Sequence, residues 1–311
     1  MTFASPVQTI KPQLLTPLAF TDNFMGELKY DLAVAYRVCP KSSRSAPPAF
    51  TNDKFKLVEL CFKSFKTSLD SLKVKLWILV DNCPVEYENM FRQVWKSDDL
   101  TFVRFQGITG AAALKEQIRI LTEQSDSEVV YCAEDDYFYL AGQFQMAVDF
   151  LNQNPAIDFI SPYDHPDIHT TELHNEKSSS KQFGGKVWNS CCSTTHTFLT
   201  TRSTLRECQD VLRVTKASIP DLAQWLALTK RRVFDIKNLL KWGVTHQYWA
   251  ASILIAWNYY WTQILFGRRR TLWIPHPSIA THMAIGMEAP GVDWGKIIGE
   301  QAGALQEKRA S

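Results

Sequence analysis

The sequence lacks the cysteine patterns that mark zinc sites, redox motifs and disulfide scaffolds. It contains seven cysteines, an odd number, and no two of them form a CxxC pair. No Cys/His spacing typical of a zinc site occurs either. Several of the cysteines lie inside apolar, strand-like runs. These features favour a reduced, cytoplasmic protein over a secreted one that disulfides stabilise.

A strong net charge is also missing, and so is a secretory signal. The formal net charge is +2 for 311 residues, which gives no electrostatic reason to expect a nucleic-acid partner. The amino-terminal residues have neither the basic start nor the compact apolar segment of a signal peptide. No internal repeat is visible. The composition, 45% hydrophobic and 21% charged, is that of an ordinary globular protein with one large domain or two modest ones.

One apolar stretch, residues 248–266, approaches the length of a membrane span and is rich in Trp and Tyr. Polar residues such as Asn258 interrupt it, and its aromatic residues are not confined to its ends. We therefore expect a buried or membrane-surface helix. Three arginines, residues 268–270, follow it, so that residues 248–270 are a candidate for peripheral membrane contact.

Strand-like and helix-like patterns alternate through the first half of the chain. The predicted strands are Asp31–Val38, Val74–Val80, Thr101–Phe105 and Val129–Ala133. The predicted helices are Phe55–Leu69, Glu86–Trp95, Ala111–Thr122 and Phe144–Leu151. Such alternation predicts an α/β fold with a mostly parallel central sheet that helices flank.

The second half is less regular. Its predicted elements are a strand at Asp158–Ser161, a long polar loop at 162–187, a strand at Thr194–Thr201, helices within 203–242 and a strand at Thr271–Ile274. A loop of that length in a compact domain usually serves function or stays mobile.

The most informative motif is the acidic triplet Glu134, Asp135 and Asp136, which ends the predicted strand Val129–Ala133. Three adjacent carboxylates repel one another and resist desolvation, and a divalent cation would relieve that repulsion. Mg²⁺ is usually held by only one or two carboxylates, and substrate phosphates complete its shell. The motif predicts a metal and diphosphate site at the carboxyl end of a strand. A solvated acidic turn is the alternative.

The order and spacing of the strands, the small-residue segment 107–115 and the acidic triplet resemble those of glycosyltransferases of the GT-A fold, and of family 2-like members in particular. Tyr36-Arg37 ends a first strand and Leu76–Asn82 forms the second. The small-residue segment 107–115 resembles the loop and helix start near the diphosphate, and Glu134-Asp135-Asp136 resembles the DxD motif. The run Ile274–His282 resembles the closing segment of small GT-A families. The resemblance implies a Rossmann-like sheet with a helical carboxyl-terminal extension.

The resemblance also implies a metal-dependent enzyme that moves a sugar from a nucleotide-diphosphate sugar to an acceptor hydroxyl, with inversion expected. The donor-binding residues that it implies are Tyr36, Arg37, Asp81, Gly107, Gly110, Lys115, Glu134 and Asp135. The implied ligands of a Mn²⁺ or Mg²⁺ ion are Asp136, Glu134 and His282. The acceptor is a glycan, a lipid-linked group or another hydroxyl compound. In this interpretation residues 1–29 form an irregular leader, 30–205 the donor-binding core and 206–311 a helical part that completes the active site.

An inverting transfer needs a general base, for which we select Asp164 and His246 as candidates. Asp164 closes a predicted strand, and His246 begins the aromatic segment. Two other functions stay open. A nucleotidyltransferase also places acids and Mg²⁺ beside such a sheet, but residues 39–44, which follow the first strand, contain no glycine. A non-catalytic scaffold that binds carbohydrate or a membrane is the third interpretation.

Overall fold

The computed structural model of the protein describes residues 28–41, 47, 53–214 and 219–301. Its strands are β1 (Leu32–Val38), β2 (Val74–Asp81), β3 (Leu100–Phe105), β4 (Val129–Glu134), β5 (Tyr137–Tyr139), β6 (Phe159–Ile160), β7 (Ser180–Phe183), β8 (Lys186–Cys191), β9 (Phe198–Thr201), β10 (Leu272–His276) and β11 (Ala280–His282). Its helices are α1 (Lys54–Ser68), α2 (Val85–Val94), α3 (Gly110–Glu123), α4 (Phe144–Gln153), α5 (Asp167–Thr170), α6 (Arg202–Leu212), α7 (Asp221–Thr229), α8 (Ile236–Thr245) and α9 (Gln247–Leu265). The predicted leader lies outside the described residues except for Leu28 and Lys29.

The described strands form one large sheet with the order β3-β2-β1-β4-β9-β6-β10-β8-β7, and β11 pairs with β5 in a small second sheet. β1 is parallel to β2 and β4, and β2 is parallel to β3. Only β9 and β8 run against the common direction of this sheet. The predicted α/β fold, with a mostly parallel central sheet flanked by helices, is confirmed. The carboxyl-terminal part contributes strands β10 and β11 as well as helices.

Both faces of β1 are buried, which explains why its sequence is a continuous apolar run. Alternate residues such as Val34 and Tyr36 enter the core under α1, α2 and α4. The intervening Ala33 and Ala35 enter a second core, which α3 and the helices from α6 to α9 cover. A polar side chain on either face would lose its hydration without gaining a partner. The strand therefore has apolar residues on both faces and lies between two layers of helices.

The eight predicted elements of the first half are all present, with bounds within two residues of those predicted. The helical region 203–242, by contrast, is three helices. α7 begins after Pro220, which has no N–H to continue a helix from the preceding segment. α7 ends at Lys230, whose φ of 52° is left-handed, and Arg232 nearby has a φ of 61°. These backbone turns separate α7 from α8.

Two predictions for the second half were wrong in part. The supposed loop 162–187 contains α5 and β7, and it runs into β8. β7 and β8 form a hairpin through Gly184 and Gly185, both at positive φ, which is a turn that the Gly-Gly pair signals. The predicted strand Thr194–Thr201 begins only at Phe198.

Candidate active site

The carboxyl ends of β1, β2 and β4 meet at one edge of the sheet, where they surround a cavity of about 280 Å³. Arg37 pairs in register with Glu134 of the neighbouring strand, and β2 ends at Asp81. We call this the first cavity. The residues that line it and carry polar groups include Arg37, Lys41, Lys54, Asp81, Thr109, Asp135 and Asp136.

Asp81 fixes the loop that closes one side of the first cavity. Its Oδ1 accepts hydrogen bonds from the backbone N–H groups of Gly107, at 2.6 Å, and Ile108, at 3.2 Å. No donor to its Oδ2 is found in the described part of the chain. Gly107 has a φ of +83°, and a Cβ there would lie 3.3 Å from Nδ2 of Asn82. One carboxylate oxygen thus holds the loop, while the other is available to a ligand.

The amino terminus of α3 opens between this loop and β1. Thr109 caps the helix, since its Oγ1 accepts a hydrogen bond from the N–H of Ala112 at 3.1 Å. Gly110 is the first helical residue, and its carbonyl accepts a bond from Nη1 of Arg37 at 3.0 Å. The first N–H groups of a helix have no partner within it and attract anions. This corner therefore combines a guanidinium group with a positive helix end.

The three acids of the triplet have different environments. Glu134 accepts a hydrogen bond from the Arg37 guanidinium at Oε1 and one from Oγ1 of Thr197, 2.9 Å away, at Oε2. Both of its oxygens are thus engaged by protein groups, because Arg37 emerges beside it from β1. The structure does not group Glu134 with the other predicted metal ligands.

Asp135 is buried and held by protein donors. Lys54 donates to its Oδ1 at 2.7 Å and the N–H of Cys39 to its Oδ2 at 2.9 Å. Burial raises the pKa of Asp135, although the Lys54 ammonium opposes this change. Burial likewise disfavours charged Lys54, but the charges of Asp135 and Asp136 outweigh it and raise the Lys54 pKa. This pair ties the loop after β1 to the end of β4.

Asp136 and His282 are the predicted metal ligands that the structure brings together. Asp136 Oδ2 lies 3.3 Å from Nε2 of His282, and each side chain is about one-quarter exposed. The β5–β11 pairing sets this contact by placing His282 opposite Tyr137, on whose ring the imidazole stacks. Burial would raise the pKa of Asp136, but the interactions with His282 lower it. Burial would lower the pKa of His282, but Asp136 raises it.

Two further cavities continue from the first. A second cavity, of about 360 Å³, shares Arg37, Thr109 and Gly110 with the first and is also lined by Glu134. A third, of about 300 Å³, is lined among others by His165, Thr195, Tyr248 and Trp249. Asp221 lines both the second and the third cavity and so lies where they adjoin.

Asp221, the first residue of α7, is a candidate that the sequence analysis missed. Its Oδ1 lies 3.3 Å from Nδ1 of His196, whose Nε2 lies 2.6 Å from Oε1 of Gln224. Gln224 Nε2 donates to three backbone carbonyls, at Val211, Leu212 and Val214, which fixes Oε1 toward the histidine. His196 Nε2 must then carry a proton.

The surroundings of Asp221 change its basicity. Partial desolvation in the cavity wall raises the pKa of Asp221, although 44% of its side chain is exposed; His196 lowers the pKa, the charge of Glu134 raises it, and Arg37 opposes Glu134. The net result is a carboxylate more basic than usual, in a wall common to two cavities. The only sequence signal for it is Pro220-Asp221, an ordinary helix start.

Asp164, a general base predicted from the sequence, lies outside the three cavities and between two histidines. Its side chain has no exposed area. Its Oδ1 lies 2.7 Å from Nε2 of His169 and its Oδ2 2.9 Å from Nδ1 of His276. Both oxygens are thus occupied, because β6 and β10 pair and bring Asp164 and His276 together. The donor atoms of these three residues lie within 4.8 Å of one another, close enough to hold a metal ion.

Five other predicted residues are not among those that line the three cavities: Tyr36, Gly107, Lys115, His246 and His282. Tyr36 is fully buried, and its ring packs edge-on against Phe62 at 5.4 Å. Lys115 is exposed on α3. His246 is exposed at the junction of α8 and α9, where its ring stacks on Trp249 at 4.0 Å. Its neighbour Trp249, rather than His246, contributes to the third cavity.

No protein-family model matches the sequence, and no curated protein matches it. Matches among solved structures include a protein provisionally described as a nucleotide-diphospho-sugar transferase from Desulfovibrio desulfuricans. It is 13% identical with a TM-score of 0.40, and the match covers 75% of this chain and 98% of that one. A mannosyltransferase from Pyrobaculum calidifontis, solved with GDP-mannose and Mn²⁺, is 11% identical with a TM-score of 0.40, and the match covers 74% of each chain. The 4-diphosphocytidyl-2C-methyl-D-erythritol synthase of Anaerococcus prevotii is 10% identical with a TM-score of 0.39, with coverage of 68% and 86%.

Proposed function

We propose that this protein is a metal-dependent glycosyltransferase that moves a sugar from a nucleotide-diphosphate sugar to an acceptor hydroxyl, with inversion at the anomeric carbon. The observation that carries the proposal is the contact between Asp136 and His282 at the acidic end of β4, beside a cavity walled by Asp81 and the start of α3. This combines oxygen and imidazole donors with an anion-binding helix end at the ligand-binding edge of a parallel sheet.

The first cavity is the proposed donor site. Asp81 accepts a hydrogen bond from the nucleoside through its free Oδ2. The diphosphate lies at the start of α3, where Arg37 and Lys54 contribute positive charge. Glu134 and Asp135 act by holding Arg37 and Lys54 in position. The backbone of the Gly107 loop forms the wall opposite β1.

Asp136 and His282 would hold the cation. A carboxylate oxygen and a neutral imidazole nitrogen suit Mn²⁺ better than Mg²⁺, and two protein ligands leave coordination positions for diphosphate oxygens. When bound, the cation supplies Lewis-acid stabilisation of the charge that grows on the diphosphate leaving group. Only a neutral imidazole can ligate, and because Asp136 raises the pKa of His282 the cation would compete with a proton at this nitrogen.

Asp221 is the proposed general base, in place of Asp164 and His246. Its raised pKa suits proton abstraction from a hydroxyl better than that of an ordinary carboxylate. Its position in both the second and third cavities gives it access to an acceptor in the third cavity and to a sugar held in the second. His196 orients Asp221 through Oδ1 and leaves Oδ2 for the acceptor.

The seven cysteines are free thiols, and a reducing cytoplasm is the compartment that we propose. No helix in the described ranges is long and apolar enough to cross a membrane.

Calorimetry with UDP, GDP and related nucleotides, with and without Mn²⁺, tests the proposal. We expect one nucleotide to bind tightly only with Mn²⁺, and Asp136→Asn to weaken that binding by about tenfold or more. Asp210→Asn, at an exposed position of α6, is the matched control. If the folded protein binds no nucleotide under any condition, the non-catalytic scaffold is the better interpretation. Release of pyrophosphate from a nucleoside triphosphate and a sugar phosphate would instead indicate a nucleotidyltransferase.

A further inference from the structure

Helices α8 and α9 expose a row of large apolar side chains. On α8, Ile236, Leu240 and Val244 are 69%, 72% and 84% exposed, and their spacing of four residues puts them on one side of the helix. On α9, Leu254, Trp261 and Leu265 are about half exposed. We call these six residues the α8–α9 face.

The two helices lie side by side and contact each other through aromatic rings. The rings of Phe234 and Trp257 are 5.6 Å apart, and those of Trp242 and Trp249 are 5.4 Å apart. The inward residues of α9, such as Ile253, are fully buried in the second core. Since the inward sides already hold the helices to the domain, the outward apolar residues are not needed for the core.

The segment that carries this face is rich in basic residues and poor in acidic ones. Neither α8 nor α9 contains an acidic residue. Residues 230–270 hold eight basic residues and one acidic residue, which gives a net charge of +7, whereas the whole chain carries only +2. Five of the eight bases have acidic partners, and one of the five, Arg270, is buried; the five are Arg231, Arg232, Lys241, Arg268 and Arg270. Lys237 and Arg269 are exposed, and no acidic partner of either is found within the described ranges.

We propose that the α8–α9 face binds the headgroup region of an anionic lipid bilayer. Exposed Trp and Leu on one side of a helix, with long basic side chains beside them, match the interface between acyl chains and anionic headgroups. A second copy of this chain would present the same positive charge and would be repelled. In this arrangement α9 lies along the membrane surface. A transmembrane orientation does not suit this helix, because one side of α9 is buried in the protein and Asn258 on the other side is exposed.

The same helix forms part of the third cavity. Tyr248 and Trp249, at the start of α9, line this cavity together with Asp221. The proposed base therefore faces a space that borders the bilayer-binding helices. On the basis of the glycosyltransferase function proposed above, we infer that the acceptor hydroxyl belongs to a lipid-borne molecule that enters the third cavity from the membrane.

Vesicle flotation of the full chain tests the membrane surface without reference to catalysis. The probes are vesicles of phosphatidylcholine alone and vesicles that also contain phosphatidylglycerol. We expect binding to the anionic vesicles to be about tenfold stronger or more, and to weaken with salt. Leu240→Glu with Trp261→Glu should abolish it, and Lys237→Gln with Arg269→Gln should weaken it about tenfold or more. Val85→Glu, which alters an exposed apolar residue of α2, is the control.

The outcomes separate this inference from the glycosyltransferase proposal. Nucleotide binding with Mn²⁺, measured without vesicles in the same variants, reports on the donor site, and thermal melting checks folding. The proposal that the α8–α9 face binds a bilayer is wrong if the wild type binds nucleotide but neither kind of vesicle. It is also wrong if the Leu240/Trp261 double variant floats as well as the wild type. A concentration-dependent dimer that Trp261→Glu dissociates would assign the face to a second copy. Vesicle binding without nucleotide binding would overturn only the enzymatic role and the lipid acceptor.

Discussion

Asp136 Oδ2 lies 3.3 Å from His282 Nε2, although the two residues come from distant parts of the sequence. The pairing of β5 with β11 makes the contact, and the stacking of His282 on Tyr137 orients the imidazole. The sequence offers three adjacent acids as ligands, but only Asp136 has this partner. The proposed metal site therefore consists of Asp136 and His282, without the other two acids of the triplet.

Substitution of one histidine at each of two candidate metal sites distinguishes between the sites. We expect His282→Ala to weaken Mn²⁺-dependent nucleotide binding by about tenfold or more, because it removes the imidazole that approaches Asp136. His276→Ala, which disrupts the second group of potential ligands around Asp164, should leave nucleotide binding unchanged. Calorimetric titration of Mn²⁺ and nucleotide measures both. The opposite pattern would move the functional metal to the Asp164 group.

The rate of sugar transfer should depend on pH through Asp221. A base must be ionised, so kcat/KM should rise with pH through the pKa of Asp221, which partial desolvation raises above its ordinary value. His196 lowers that pKa, so His196→Gln should shift the rising limb to higher pH. Asp221→Asn should reduce kcat by about 100-fold or more, with nucleotide affinity kept. A pH profile that His196→Gln does not move would contradict the pairing.

The loop at Gly107 depends on a backbone conformation that favours glycine. Gly107→Ala should lower the free energy of unfolding by about 1–2 kcal/mol, because an L-residue at a φ of +83° is strained. It should also weaken nucleotide binding, since the loop that Asp81 holds forms a cavity wall. Gly243→Ala, on α8 with open space around it, should instead stabilise the protein by up to about 1 kcal/mol. Denaturant unfolding measures the free energy of unfolding of both variants. Equal changes in the two variants would argue against backbone strain at position 107.

The buried Lys54–Asp135 pair should support the fold at the site. Lys54→Met leaves Asp135 buried without its ammonium partner, and such a loss costs about 3–5 kcal/mol. Lys56→Met removes an exposed pair with Asp53 instead and should cost less than about 1 kcal/mol. Chemical denaturation gives both values. A cost below 1 kcal/mol for Lys54→Met would mean that water reaches Asp135.

His174 should make the protein less stable in acid. Burial lowers its pKa from 6.5 to about 4, so the native state keeps it neutral while the unfolded chain takes up a proton. Its contribution is therefore complete above pH 6.5 and is lost as the pH falls toward 4. The difference corresponds to roughly 3 kcal/mol in the free energy of unfolding. His174→Gln should flatten this dependence in urea titrations at several pH values, while His246→Gln, at an exposed site, should not.

Much of the fold could be predicted because local patterns report it. β1 is apolar without interruption because both of its faces are buried, and α1 and α3 show helical spacing because each covers one face of the sheet. The β7–β8 hairpin was missed although Gly184-Gly185 signals it, since the flanking residues are mostly polar and exposed. The site was less accessible to prediction. Asp221 lies in an ordinary helix start, and its basicity comes from partial desolvation and from the charge of Glu134, a residue distant in the sequence.

The sequence alone determined the alternation of strands and helices, the position of three acids at the end of β4, and the absence of acidic residues from α8 and α9. These are properties of neighbouring residues, and hydrophobic periodicity encodes them directly. Only the tertiary structure decided that Glu134 pairs with Arg37, Asp135 with Lys54 and Asp136 with His282, and that Asp164 is buried between two histidines. Strand order and register bring these partners together, and a carboxylate acquires its role from the charges and the amount of water around it.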